Sequence, residues 1–155
     1  MSRKNRQPWY KEGLRFECTQ CGECCTGTSG LVAFTRREGV AMAKVLGISW
    51  DEFSQRYAQP TYEKGVWELL EVEVEGAFDC ILLDRCEETG ITRCRAHQAR
   101  PTQCRTWPFW PENLTDKESW WQAGQACEGI GRGRLIPLRV IQQELDDTPD
   151  WGIPR

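Results

Sequence analysis

No stretch of this sequence approaches the roughly 20 apolar residues that carry a helix across a bilayer, so no membrane span is expected. The first residues, Met1-Ser-Arg-Lys-Asn-Arg-Gln-Pro8, carry charge with no apolar run behind them. No signal peptide is expected from that pattern, and the compartment read from it is the cytoplasm. Charge of either sign is not in large excess: the formal net charge is -3, which gives no general push toward nucleic acid or anionic membranes. The glycines Gly129, Gly131 and Gly133 lack the Lys-Ser/Thr pair and the preceding strand of a phosphate-binding loop. No general base, nucleophile or substrate pocket stands out, so an enzymatic reading, a small iron-dependent enzyme, ranks last. Histidine is almost missing, with His97 alone.

Cysteine, by contrast, is abundant. Nine are present, and an odd number in a chain of cytosolic character argues against a closed disulfide framework and for metal ligands or redox groups. Four of them, Cys18, Cys21, Cys24 and Cys25, fall within eight residues as C-x-x-C-x-x-C-C. Two C-x-x-C steps in series let a short looped backbone aim its sulfurs at one point, as small chains do to grip a soft cation or an iron–sulfur cluster. Gly22 sits where such a loop needs a residue free to take positive φ. At 155 residues the chain is long enough to bury about two-thirds of its unfolded surface, so metal is not required merely for lack of length. Its mean hydropathy of -0.61 is modest, and ligation is expected to supply part of the ordering.

The expected organisation is an N-terminal arm over residues 1–15, a metal-chelating domain over 16–145 and a tail over 146–155. The arm is read as irregular and solvated, with Trp9, Tyr10 and Leu14 as its sizeable apolar groups. Leu31-Val-Ala-Phe34 reads as a short buried strand. Thr35 then caps a helix through Leu46, with Glu38 at the capping-box position and Gly47 as the stop. Ser49 caps a second helix, with Trp50, Phe53 and Tyr57 on its buried side and Pro60 at its end. Val66–Val74 reads as a half-exposed strand, with Glu68, Glu71, Glu73 and Glu75 on a solvated sheet face, and Gly76 turns it into a buried strand over Phe78–Leu83. Trp107-Pro-Phe-Trp110 reads as an irregular loop, Leu114–Gln125 as a short helix or hairpin, Gly129–Gly133 as a turn and Ile136–Leu145 as an amphipathic helix.

The other thiols, Cys80, Cys86, Cys94, Cys104 and Cys127, are dispersed and have the look of distant ligands that close sites begun by the first group. Arg93, Arg95, Arg100 and Arg105 interleave with them. Adjacent cations favour ionised sulfur and offset the charge that several thiolates accumulate, and that reading is preferred to a nucleic-acid patch. Cys94-x-x-His97 has a ligand-like spacing, set against a partly buried histidine with no metal role.

These pieces together resemble the CxxCxxCC cysteine-cluster family of zinc- or iron-chelating proteins, from Cys18 to about Gly133. The matching segments are Cys18-Thr-Gln-Cys-Gly-Glu-Cys-Cys25, Cys80-Ile-Leu-Leu83, Cys94-Arg-Ala-His-Gln-Ala-Arg-Pro-Thr-Gln-Cys-Arg105, Trp107-Pro-Phe-Trp110 and Cys127-Glu-Gly-Ile-Gly131. The resemblance implies eight ligand cysteines: Cys18, Cys21, Cys24, Cys25, Cys80, Cys94, Cys104 and Cys127. Two positions depart from the family pattern: His97 stands where a tyrosine is usual, which implies an aromatic replacement and not a ligand, and Cys86 has no counterpart and is a spare thiol. A similar motif in bacterial flagellin lysine N-methylases resembles an iron–sulfur module, but nothing in this chain resembles a methyl-donor domain.

Eight thiols divide into two sets of four, which suits two tetrahedral zinc sites, two cubanes, or one cluster with spare cysteines. Neighbouring side chains in extended backbone point apart, so Cys24 and Cys25 are expected to serve different sites, or one of them to lie behind the other. Serial C-x-x-C spacing with a single compact group favours iron–sulfur, with 4Fe-4S as the form considered, and zinc is the alternative. The aromatics Trp107, Phe109, Trp110, Trp120 and Trp121 serve either as a dry wall for a cluster or as ordinary core. The expectation is a small α+β single domain, cysteine-rich, its short strands and helices pinned by bound metal. It would carry an iron–sulfur cluster in a redox or accessory role beside a protein partner, or else be a structural or storage zinc protein.

Overall fold

The computed structural model describes residues 6–27 and 30–150. In chain order these contain β1 (Leu14–Phe16), β2 (Ala33–Thr35), α1 (Arg36–Leu46), α2 (Trp50–Arg56), β3 (Ala58–Pro60), β4 (Val66–Leu69) and β5 (Glu71–Val74). There follow β6 (Ala77–Cys80), β7 (Leu83–Arg85), β8 (Thr92–Cys94), α3 (Thr102–Thr106), α4 (Lys117–Ala126), β9 (Ile130–Ile136) and α5 (Leu138–Asp147). Single 3₁₀ turns lie at Glu23–Cys25, His97–Ala99 and Pro111–Asn113. The mixture of helices with short antiparallel strands is the α+β class expected from sequence. Among the described residues, no helix is long and apolar enough to cross a membrane. Met1–Asn5, Thr28–Ser29 and the last five residues lie outside the described set, and with them the start of the expected arm, part of the loop before Leu31 and the end of the tail.

The chain divides into two compact units, one made of residues 20–107 and the chain's end, the other of residues up to 19 together with 108–148. The larger unit packs around Phe34, Met42, Phe53, Leu69, Leu82 and Ala96, each buried. Its first helix starts where the sequence places it. The Thr35 side chain accepts from Glu38 N, the Glu38 carboxylate accepts from Thr35 N, and Gly47 ends the helix at φ 72°. The sheet order is β2-β4-β3, with hairpins β5-β6 and β7-β8 beside it in sequence. Glu71, Glu73 and Glu75 are exposed, as a solvated face requires.

Two long expected strands are each broken in two. Leu70 interrupts Val66–Val74 because its N–H donates to Tyr57 O at 2.9 Å while its carbonyl accepts from Ile81 N at 3.0 Å. Leu70 is thus the junction where the chain leaves its pairing with β3 and begins its pairing with β6. Phe78–Leu83 breaks after Cys80 for the matching reason, since Leu82 O accepts from Arg95 N at 2.9 Å. Helix α2 ends at Arg56, before Pro60, because Pro60 is taken into β3 opposite Trp67.

The smaller unit is built on β1 and β9, paired antiparallel with Leu14 opposite Ile136 and a register shift between Arg15 and Phe16. Its core includes Tyr10, Phe109, Leu114, Ile136 and Ile141, with Trp9 packed against it and donating Nε1–H to Leu114 O at 2.8 Å. Trp9 and Tyr10 are therefore interior groups and not part of a solvated arm. Their spacing was too short for a periodic signal. The glycine-rich stretch after Cys127 is strand β9, and α5 begins only after Pro137, two residues later than its apolar pattern alone indicates.

Glu38 joins two elements of the larger unit. One oxygen accepts from Thr35 N at 2.7 Å, and the other accepts from Thr102 N at 2.8 Å and Thr102 Oγ1 at 2.6 Å at the start of α3. Burial alone would raise its pKa, but these bonds outweigh it and the net shift is downward. A lowered carboxylate pKa stabilises the fold above the ordinary carboxylate range and loses that stabilisation as pH falls through the folded value. Glu38→Ala is expected to cost about 1–3 kcal/mol in urea denaturation at pH 7. The difference from wild type should shrink as the titration is repeated toward pH 3, and an undiminished difference would count against the assignment.

Candidate metal centre

The cysteine stretch crosses from one unit to the other, with Cys18 in the smaller and Cys21, Cys24 and Cys25 in the larger. Gly22 adopts φ 81° and starts the 3₁₀ turn Glu23–Cys25, closed by Cys25 N donating to Gly22 O at 2.9 Å. A Cβ at Gly22 would sit 2.3 Å from Thr92 Oγ1, so glycine is required both by dihedral angle and by space. Gln20 is also in the left-handed region, at φ 57°. The two together wind the backbone tightly around Cys21.

That winding changes the relation of Cys24 to Cys25. In extended backbone they would diverge, but in the 3₁₀ turn their Sγ atoms lie 3.9 Å apart. All nine cysteines are free thiols, and this spacing is well beyond a bond. Two sulfurs on one tetrahedral ion with metal–sulfur bonds of about 2.3 Å stand about 3.8 Å apart. The pair is thus spaced as two ligands of one metal would be.

Three remote cysteines join them. Gly27 and Phe78 exchange both backbone hydrogen bonds, at 3.1 and 2.8 Å, which aligns the residues after Cys25 antiparallel to β6 and brings Cys25 alongside Cys80. Cys94 ends β8, opposite Leu83 of β7, and both Cys80 and Cys94 pack against the larger unit's core. Cys104 lies in α3. Its neighbour Gln103 anchors that helix, accepting from Ala33 N at 3.1 Å and donating to Leu31 O at 2.6 Å.

The electrostatics report the same convergence. Cys80 is pushed up to about 11, first by burial and then by the sulfurs of Cys94 and Cys24. Burial, with Cys80, Cys24 and Cys94 beside it, holds the Cys104 thiol well above its ordinary value. Cys94 is raised by burial, and Cys25 is raised by its bond to Cys24, by burial and by Cys104 and Cys80. Cys24 moves the other way, to about 7, chiefly through the bond from Cys25 and with help from Arg100. Four thiols are thus held toward the neutral form, and Cys24 alone is drawn toward the thiolate. Among the described residues no three His, Cys, Asp or Glu side chains are drawn tightly enough to hold an ion, so the five are neighbours and not a closed coordination sphere. An all-sulfur donor set, four of whose thiols are held neutral by burial and by their neighbours, suits a soft cation, which removes both penalties, and does not suit magnesium or calcium.

Of the four arginines expected to offset this charge, Arg100 acts on Cys24, Cys94 and Cys104. Arg95 also reaches Cys94, but its guanidinium is engaged with Ile81 O at 3.0 Å, with Asp84 at 3.7 Å and over the Tyr57 ring. Arg93 and Arg105 are exposed. His97 Nε2 is buried without a hydrogen-bond partner, and its pKa is lowered by burial and by Arg100. Cys86 stands apart in the exposed turn after β7, where hydrogen bonds from Thr89 and Glu88 lower its pKa. Cys18 and Cys127 belong to the smaller unit. Glu17 N donates to Gly129 O, and Thr19 Oγ1 donates to Glu128 at 2.6 Å, so the two cysteines lie on adjacent segments. Phe109 and Trp120 stack in that unit's core, which makes them packing groups, and Trp121 is 60% exposed.

Residues not foreseen from sequence are Thr26, Asp79, Thr92 and Gln103, which hold the backbone on which the sulfurs stand. Asp79 carried a legible signal, since a carboxylate inside the apolar run Phe78–Leu83 demands a partner.

The family model described as "Putative zinc- or iron-chelating domain", CxxCxxCC, matches residues 17–128. An uncharacterized protein of Methanocaldococcus jannaschii, MJ0661, is 29% identical over 100 residues, covering 64% of this chain. The chain spans about half the length of that relative, 48%. No solved structure matches.

Gly22→Ala should destabilise the larger unit by about 1–2 kcal/mol from the left-handed dihedral alone, and by more from the collision with Thr92. Gly90→Ala, at φ 71° with open space around it, should show the dihedral cost only. Equal losses in denaturant titrations of the two variants would remove the claim that the loop is packed against Thr92.

Proposed function

Because the chain belongs to the CxxCxxCC family, we propose that it is a metal-binding protein whose first site is made by Cys24, Cys25, Cys80, Cys94 and Cys104 in the larger unit. The observation that carries this reading is the 3.9 Å approach of Cys24 to Cys25 amid three sulfurs contributed by β6, β8 and α3. Four of the five suffice for a tetrahedral or cluster-bearing site, and Cys21, held at its carbonyl by Thr92, stands as a further ligand at the loop's start. Cys18 and Cys127 would serve a second site begun in the smaller unit.

Ligand spacing favours an iron–sulfur cluster, and the Cys24–Cys25 pair narrows which one. Four cysteines shared over four irons leave one per iron, whereas four shared over two irons leave two per iron. A pair spaced for a single ion therefore fits a two-iron cluster better than a cubane. Zinc is the second reading, favoured by the same distance, since a mononuclear tetrahedral ion also takes adjacent thiolates. A bound cluster would supply one-electron transfer, and bound zinc would supply a structural cross-link. The chain's own residues do the rest: β6, β8 and α3 aim the sulfurs, Arg100 offsets their charge, and the core beneath Cys80 and Cys94 limits water. The reading is of a cytoplasmic accessory protein that serves a protein partner.

Anaerobically purified protein should be brown and contain iron with acid-labile sulfide. A colourless protein with stoichiometric zinc would give the second reading, and one with no metal after reconstitution with either would end both. Cys80→Ser and Cys104→Ser should each weaken metal binding at the first site by about tenfold or more, while Cys86→Ser leaves it unchanged. Equal losses from all three would refute the separate status of Cys86.

A further inference from the structure

We infer that Asp79 is a positioning residue for the sulfur site, acting through Thr26 and Arg85 to hold Cys25 and Cys80 in place; this rests on the metal-binding reading above. Asp79 is only 7% exposed, although it is ionisable and sits directly before Cys80. Thr26, directly after Cys25, donates its hydroxyl to Asp79 Oδ1 at 2.5 Å. Arg85 Nη2 lies 3.3 Å from both Asp79 oxygens. Arg85 in turn is opposite Thr92 in the β7-β8 hairpin, and Thr92 Oγ1 donates to Cys21 O at 2.7 Å.

The contacts close a ring. Starting from the cysteine loop, the path runs Cys25, Thr26, Asp79, Arg85, Thr92 and back to Cys21. The loop is therefore gripped on both flanks by the segments that bear Cys80 and Cys94. A buried carboxylate is costly unless paired, and packing alone would be served as well by an apolar residue. What only a carboxylate supplies here is two acceptor oxygens, shared between the loop's hydroxyl and the hairpin's guanidinium. Partners that orient metal ligands in this way typically account for 10–100-fold of metal affinity.

The test uses Co2+ as a visible probe of thiolate coordination, titrated into the full reduced chain and then competed with Zn2+. Asp79→Ala is expected to weaken Co2+ binding about 10–100-fold, and Asp79→Asn, which keeps an acceptor for Thr26, should recover part of that loss. Thr26→Val removes the donor while preserving shape, and it decides the matter should Asp79→Ala fail to fold. Asn113→Ala, a buried change in the smaller unit, serves as the control for general destabilisation, and it should lower the melting temperature without weakening Co2+ binding. Folded Asp79→Ala and Thr26→Val proteins that bind Co2+ as tightly as wild type would overturn the inference. Wild-type protein that binds neither ion and takes up no iron and sulfide on reconstitution would instead overturn the metal-binding reading on which it stands.

Discussion

Sulfur atoms that crowd together in a partly buried place cannot all ionise without a cation, and they cannot be spread apart without undoing the segments that carry them. In the larger unit this constraint ties together Cys24, Cys25, Cys80, Cys94 and Cys104, whose positions come from a 3₁₀ turn, two hairpins and a short helix. Each thiol except Cys24 is held toward its neutral form by burial and by the others. Arg100 offsets only part of the repulsion. A positive charge among these sulfurs would relieve both the burial cost and the repulsion that hold the other four thiols neutral.

Hydrogen bonds to backbone and side chain join apolar packing in setting where the sulfurs stand. Thr92 fixes Cys21, Asp79 and Thr26 fix the stretch between Cys25 and Cys80, and Gln103 with Glu38 fixes the helix of Cys104. None of these helpers is itself a sulfur donor. Short strands of three or four residues are weak on their own. Their ends are tied at polar points, and this is how such small hairpins can carry a site.

What the sequence made legible follows the range of the interactions. Capping of α1 by Thr35 and Glu38 and its end at Gly47 are local events within a few residues, and they are found as read. The positive φ of Gly22 was legible for the same reason, although its contact with Thr92, 70 positions on, was not. The breaks at Leu70 and after Cys80 depend on partners from elsewhere in the chain, which no periodic pattern records. The divergence expected of Cys24 and Cys25 assumed extended backbone, and the 3₁₀ turn reverses it. The interior role of Trp9 and Tyr10 depends on pairing with residues more than 100 positions away.

The smaller unit takes its strands from both sides of the larger one in the chain: β1 ends at Phe16, while β9 starts only at Ile130. During synthesis β1 therefore has no strand to pair with until the ribosome has released the rest. By then Cys104, the last of the five clustered sulfurs, has already emerged. Since domains fold as they leave the ribosome, the insert can complete its sulfur nest while its host is still half made.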